Sequence, residues 1–137
     1  MTLAGFLHFI RKGLRRMTEI AIDFAKMDGL VPGIVQDART GEVLMVGFLN
    51  SESYRATLDT GFVTFWSRTR QKLWMKGETS GNRLRVLEAA TDCDQDTLLF
   101  RVEVEGDGLV CHEGTVSCFT RPIAMPEQSA SRSANGQ

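Results

Sequence analysis

Apolar and polar positions change rhythm several times along the chain. Leu3, Phe6, Leu7, Ile10 and Leu14 recur at helical spacing among basic residues, which predicts an amphipathic N-terminal helix over residues 1–17. The stretch "TEIAIDFAKMDG" predicts a second short helix, capped by Thr18 and stopped near Gly29. Apolar runs at 34–38 and 43–49 flank Arg39-Thr40-Gly41 and read as a β-hairpin. Asn50 or Ser51 can cap a helix that runs to Thr60, with Gly61 as its left-handed stop.

"FVTFWS" (62–67) reads as a strand, and "RTRQKLWMKGETSGN" (68–82) as a long polar loop. "RLRVLEA" (83–89) and "TLLFRVEVE" (97–105) alternate like half-buried strands, with a turn at "GDG" (106–108). The end, residues 122–137, is small, polar and Pro-containing, the composition of a disordered tail. With neither a repeat nor a linker inside 18–121, the expectation is a small single α+β domain with a mainly antiparallel sheet and short helices.

Composition narrows the functional classes. The 137 residues hold 16 Lys plus Arg against 17 Asp plus Glu, so global attraction to nucleic acid or an anionic membrane has no support. No apolar run approaches the ~20 residues of a membrane span. The N-terminal charges follow the apolar stretch, the reverse of a secretory signal. Three cysteines cannot all pair within one chain. A cytoplasmic, reduced protein is therefore expected.

The chemistry concentrates late in the chain. In "TDCDQDT" (91–97), Asp92, Asp94 and Asp96 alternate with Cys93 and Gln95. Carboxylate oxygens suit hard cations such as Mg²⁺, and thiolates suit zinc. If the segment is extended, the three acids share one face and Cys93 takes the other. An EF-hand would need Gly at its sixth position, where Thr97 stands, and a solvated acidic turn is the plainer alternative. Cys111 and Cys118 frame "CHEGTVSC", and with Cys93 they could hold zinc and leave a fourth position open; small buried thiols are the competing reading. His112 beside Cys111 suits proton transfer. Arg68, Arg70, Lys72 and Lys76, interleaved with Trp66 and Trp74, could hold the phosphates of a small molecule or form a solvated face. His8 carries no such context.

"LVPGIVQDARTGEVLMVGFLN", "WSRTRQKLWMKGETSG", "DCDQDTLL" and "CHEGTVSCF" stand in the order found in phosphoribosyl-AMP cyclohydrolases, which the chain resembles over residues 28–121. The resemblance implies a hydrolase of histidine biosynthesis. It would open the adenine ring of 1-(5-phosphoribosyl)-AMP at C6–N1, by a zinc-activated water, giving the formimino-aminoimidazole carboxamide ribotide. It implies catalytic Zn²⁺ on Cys93, Cys111 and Cys118, one per subunit and shared across an intertwined homodimer, and Mg²⁺ on Asp92, Asp94 and Asp96. For that reaction His112 is the expected proton carrier, with Glu78 as the second candidate, and Arg68, Arg70, Lys72, Trp74, Lys76, Thr79 and Ser80 are the expected substrate contacts. A non-catalytic zinc-binding module and a paralogue acting on a related purine nucleotide are the alternatives. Relatives often have His where this chain has Asn82, and "CHTG" where it has Glu113. The chain ends soon after Cys118, so a monofunctional form is expected.

Overall fold

Asp37 shapes the first hairpin in the computed structural model, which describes residues 20–127. Its carboxylate accepts the N–H groups of Arg39 at 2.8 Å and Thr40 at 3.0 Å, turning the chain between β1 (Val31–Asp37) and β2 (Val43–Leu49). The two strands pair antiparallel from Val31↔Leu49 to Gln36↔Val43, with a register shift after Val35. The expected hairpin is thus present. The expected second helix is not. Only a single 3-10 turn, Ala25–Met27, lies in the described part of that segment, and Asp28 and Gly29 then turn left-handed. Thr18 and the N-terminal amphipathic pattern lie outside the described residues.

After β2 the chain enters α1 (Ser51–Thr60) through a reciprocal cap: Asn50 accepts the Ser53 N–H while Ser53 Oγ accepts the Asn50 N–H. Gly61, at φ 81°, closes the helix by donating to the Thr57 carbonyl. The helix buries hydroxyls rather than a broad apolar stripe. Thr57 Oγ1 accepts the Thr64 N–H at 2.9 Å and donates to the Ser53 carbonyl, tying α1 to β3 (Thr64–Ser67).

Where a long loop was expected, β3 pairs with β4 (Lys72–Met75) as a second, two-stranded sheet. The polar run "RTRQ" is only its turn. Gln71, at φ 53°, makes the reversal that alternation alone does not signal. The ladder aligns Phe65 opposite Trp74, with ring centroids 5.6 Å apart.

The main sheet has the order β2-β1-β6-β5, with β5 (Leu84–Thr91) and β6 (Leu98–Val104) antiparallel and β1 and β6 parallel. The architecture is the expected α+β with a predominantly antiparallel arrangement. Pro32 in central β1 precedes the β6 ladder, which begins at Gly33↔Leu98, so its missing N–H disturbs nothing on that side. The core lies on one face: Val31 and Val35 from β1, Leu44 and Leu49 from β2, Phe100 and Val102 from β6, and Phe65 from β3. Edge strand β5 contributes Leu84 and leaves Leu87, Ala89 and Ala90 exposed. Residues 121–127 carry no regular secondary structure.

Two outcomes follow. A Cβ at Gly47 would sit 2.5 Å from the Phe65 ring, so Gly47→Ala overpacks the junction between the sheets and should cost about 1–3 kcal/mol in urea unfolding. The Asp37 carboxyl is held below its ordinary value, chiefly by the Thr40 N–H and then by that of Arg39. With the native value below the unfolded one of ~4, its contribution is full above that pH and fades as pH falls through the native value. Asp37→Ala should therefore lose stability at neutral pH, and the gap from wild type should narrow on acidification.

Candidate active site

The side chains of "CHEGTVSC" are positioned by a tight turn and two anchors. The Cys111 N–H donates to Thr115 and the Gly114 N–H to the Cys111 carbonyl, which folds 111–115 back on itself. The Cys118 N–H then donates to the Leu44 carbonyl, and Ser117 Oγ donates to Val43, pinning the segment to the start of β2. One wall of a cavity of about 360 Å³ is formed by Leu109, Val110, Cys111, His112 and Gly114. The facing wall is Trp74 and the run Lys76–Ser80 with Asn82. Cys111 and His112 also line a neighbouring hollow of about 390 Å³, with Cys118, Phe119 and Arg121. Two motifs 30 residues apart in the sequence thus face each other.

The thiols in this region differ in environment. The Glu113 backbone N–H beside the buried Cys111 sulfur holds that thiol below its ordinary value. Desolvation of its sulfur pushes the neighbouring Cys118 thiol up, although the residue as a whole is exposed, and the two titrate as a pair. Cys111 is therefore the member of the pair that more readily loses its proton. All three cysteines are free.

The acidic run is not extended, contrary to the sequence expectation. Residues 92–97 form the tight connection between β5 and β6, with Gln95 at φ 60°. Asp92 Oδ1 accepts the N–H groups of Asp96 and Thr97, at 3.0 and 3.2 Å. Curling does what a shared strand face was expected to do: carboxylate oxygens of Asp92, Asp94 and Asp96 lie within 4.8 Å of one another. Their donor set fits a hard divalent cation. Residues 21–26 lie over the turn. Asp23 donates its N–H to the Gln95 carbonyl, Gln95 Nε2 donates to Ala21, and Lys26 Nζ reaches Asp96 Oδ2 at 3.1 Å. The ammonium holds the Asp96 carboxyl below its ordinary range, and the same contact raises Lys26.

Cys93, exposed in this turn, is far from its supposed partners. The turn closes one end of the β5–β6 pair, and Asn82 and Leu109 stand at the other. Seven strand residues separate these ends by about 20 Å. Among the described residues the three thiols form no ligand group within one chain. Cys111 and Cys118 alone supply two soft donors, a set that fits zinc only if further ligands arrive.

Of the residues proposed for substrate contact, Trp74, Lys76, Thr79 and Ser80 line the cavity, as does Glu78. Arg68, Arg70 and Lys72 do not. Arg68 stacks over the Phe48 ring at 4.3 Å, and all three cations are exposed around the β3–β4 turn. Their spacing in the sequence spans that turn, which is why they separate from Lys76. Lys76 Nζ stands 5.3 Å from the Trp74 ring centroid. Leu109, Val110 and Asn82 had no place in the expected contact set; Leu109 and Val110 carry no chemistry to announce them, and only the turn after β6 brings them in.

A family model described as phosphoribosyl-AMP cyclohydrolase matches residues 45–120, which contain both cavity walls and the acidic turn. A phosphoribosyl-AMP cyclohydrolase of Solibacter usitatus is 59% identical over 106 residues, covering 77% of this chain and 83% of the relative. Those of Desulfatibacillum aliphaticivorans and Streptococcus mutans are 57% and 50% identical, over 76% and 81% of this chain and 82% and 100% of theirs. The chain belongs to the phosphoribosyl-AMP cyclohydrolase family. For this family member, position 82 is an amide that cannot titrate, which leaves His112 and Glu78 as the titratable side chains without a thiol or ammonium on the cavity lining.

Proposed function

We propose that the chain hydrolyses the adenine ring of 1-(5-phosphoribosyl)-AMP at C6–N1, giving the formimino-aminoimidazole carboxamide ribotide of histidine biosynthesis. The observation that best supports this reading is the opposition of Cys111 and His112 to Trp74, Lys76, Thr79 and Ser80 across one cavity in a chain of this family. The Trp74 ring offers a face for the purine, and Lys76 with the Thr79 and Ser80 hydroxyls offers donors to a phosphate. His112, exposed at the rim between the two hollows, takes a proton from the attacking water and returns it to N1 as the C6–N1 bond breaks. Water oxygen ends on C6, and N1 leaves as the formimino nitrogen. Glu78 is the second candidate for proton transfer.

Cys111 and Cys118 would hold Zn²⁺ with Cys93 of a second chain, in a homodimer carrying one zinc site per subunit. When bound, zinc supplies the Lewis acidity that makes water a nucleophile near neutral pH. Asp92, Asp94 and Asp96 would hold Mg²⁺, which favours the substrate's phosphates. Exposed Leu87, Val116 and Phe119, at 54%, 44% and 64%, are consistent with a face covered by another subunit. Three free cysteines fit a reducing cytoplasm. Among the described residues no helix is long and apolar enough to cross a membrane.

Incubation with phosphoribosyl-AMP, followed by absorbance, tests the reaction. Turnover should vanish on chelation and return with zinc and magnesium. Zinc retained without turnover on this substrate would favour a non-catalytic module, and turnover of a different purine nucleotide would favour the paralogue. Shared sites give a sharper test: Cys93→Ser and Cys111→Ser should each be inactive, yet a 1:1 mixture after subunit exchange should recover about a quarter of wild-type activity. No recovery in mixed dimers would argue against ligands from two chains. Asp94→Asn should keep bound zinc while weakening Mg²⁺-dependent turnover.

A further inference from the structure

Asn82 belongs to the wall with Lys76–Ser80 and reaches across to the other. Its Nδ2 donates to the Leu109 carbonyl at 3.0 Å, and its Oδ1 accepts the Asp107 N–H at 2.9 Å. Its own N–H donates to Ser80 Oγ at 3.2 Å. Contacts spanning 25 and 27 residues thus converge on one half-buried amide. Ser80 belongs to the wall with Lys76 and Thr79; Leu109 leads directly into Val110, Cys111 and His112. The fit at the contact is close. A Cβ on Gly106 would come within 2.1 Å of Asn82 Oδ1, and the φ of +69° there suits glycine.

An amide meets this demand because it donates at one end and accepts at the other. A carboxylate would turn an acceptor toward the Leu109 carbonyl, and alanine would leave the Leu109 carbonyl and Asp107 N–H to water. We propose that Asn82 is a positioning residue: by clamping the turn 106–109 to the segment Gly77–Ser80, it sets the distance between the His112 side of the cavity and the side that binds substrate. This rests on the reaction proposed above. Asn82 acts on the chemistry through the placement of His112 and Cys111 rather than by carrying a proton.

The full-length protein carrying Asn82→Ala or Asn82→Asp, and separately Gly106→Ala, tests the clamp. Gly106→Ala removes no group from the cavity lining and displaces Asn82 from its seat. The turnover number should fall on the order of ten- to a hundredfold in all three, with KM within about threefold of wild type. Hydrogen exchange should accelerate at the Asp107 amide and through 107–112, a readout independent of any reaction. Unchanged exchange at 107–112 would overturn the proposal whether or not the wild type turns over the substrate. So would a turnover number within about twofold of wild type, or a rise in KM that accounts for the whole loss. A fall in Tm beyond about 10 °C in every variant would make the contact a support of the fold and overturn it as well.

Discussion

The rise of a β-strand governs what this chain can do alone. β5 and β6 pair over seven residues, and nothing in an antiparallel ladder can be shortened without losing its hydrogen bonds. That fixed length holds the acidic turn and Cys93 at one end of the sheet, with Asn82 and the Leu109–Cys111 segment at the other. Hard and soft donor groups that are neighbours in the sequence therefore stand at separate places, and the three thiols do not meet within one chain. No rotamer of Cys93 bridges such a span.

The rest of the fold serves to hold the cavity walls against each other. β1 lies between β2 and β6 and so carries the anchor of Cys118, at Leu44, to the same sheet that ends in the turn before Cys111. The β3–β4 hairpin delivers Trp74 and Lys76 from the opposite direction, seated on the sheet by Phe65 over Gly47. Two independent routes through the core thus end at one cavity. Few side chains of the lining are deeply buried, which suits a site that must exchange a charged nucleotide with solvent.

Much of this was legible before any coordinates. Strong local rules gave the first hairpin, where Asp37 makes its own turn, and α1, where Asn50, Ser53 and Gly61 are cap residues at their usual places. The convergence of the three aspartates was also foreseen, but for the wrong reason. Alternation suggested an extended strand; Asp92 instead spends its carboxylate on the N–H groups of a turn. The second helix shrank to one 3-10 turn in its described part, where the backbone of Asp23 and the side chain of Lys26 are engaged with the acidic turn.

By itself the sequence determined the first hairpin, α1 and the family, because caps, turns and motif order are properties of neighbouring residues. Tertiary structure alone decided three things. It paired β1 with β6 in parallel, an event between segments about 65 residues apart that no local pattern encodes. It divided the basic loop, leaving Lys76 at the cavity and turning Arg68, Arg70 and Lys72 away, because β4 places the former after its ladder and the latter at or before it. It also gave Asn82 its two long-range main-chain partners. Each depends on backbone groups meeting across large sequence separations, and a backbone group looks the same at every position until the chain has folded.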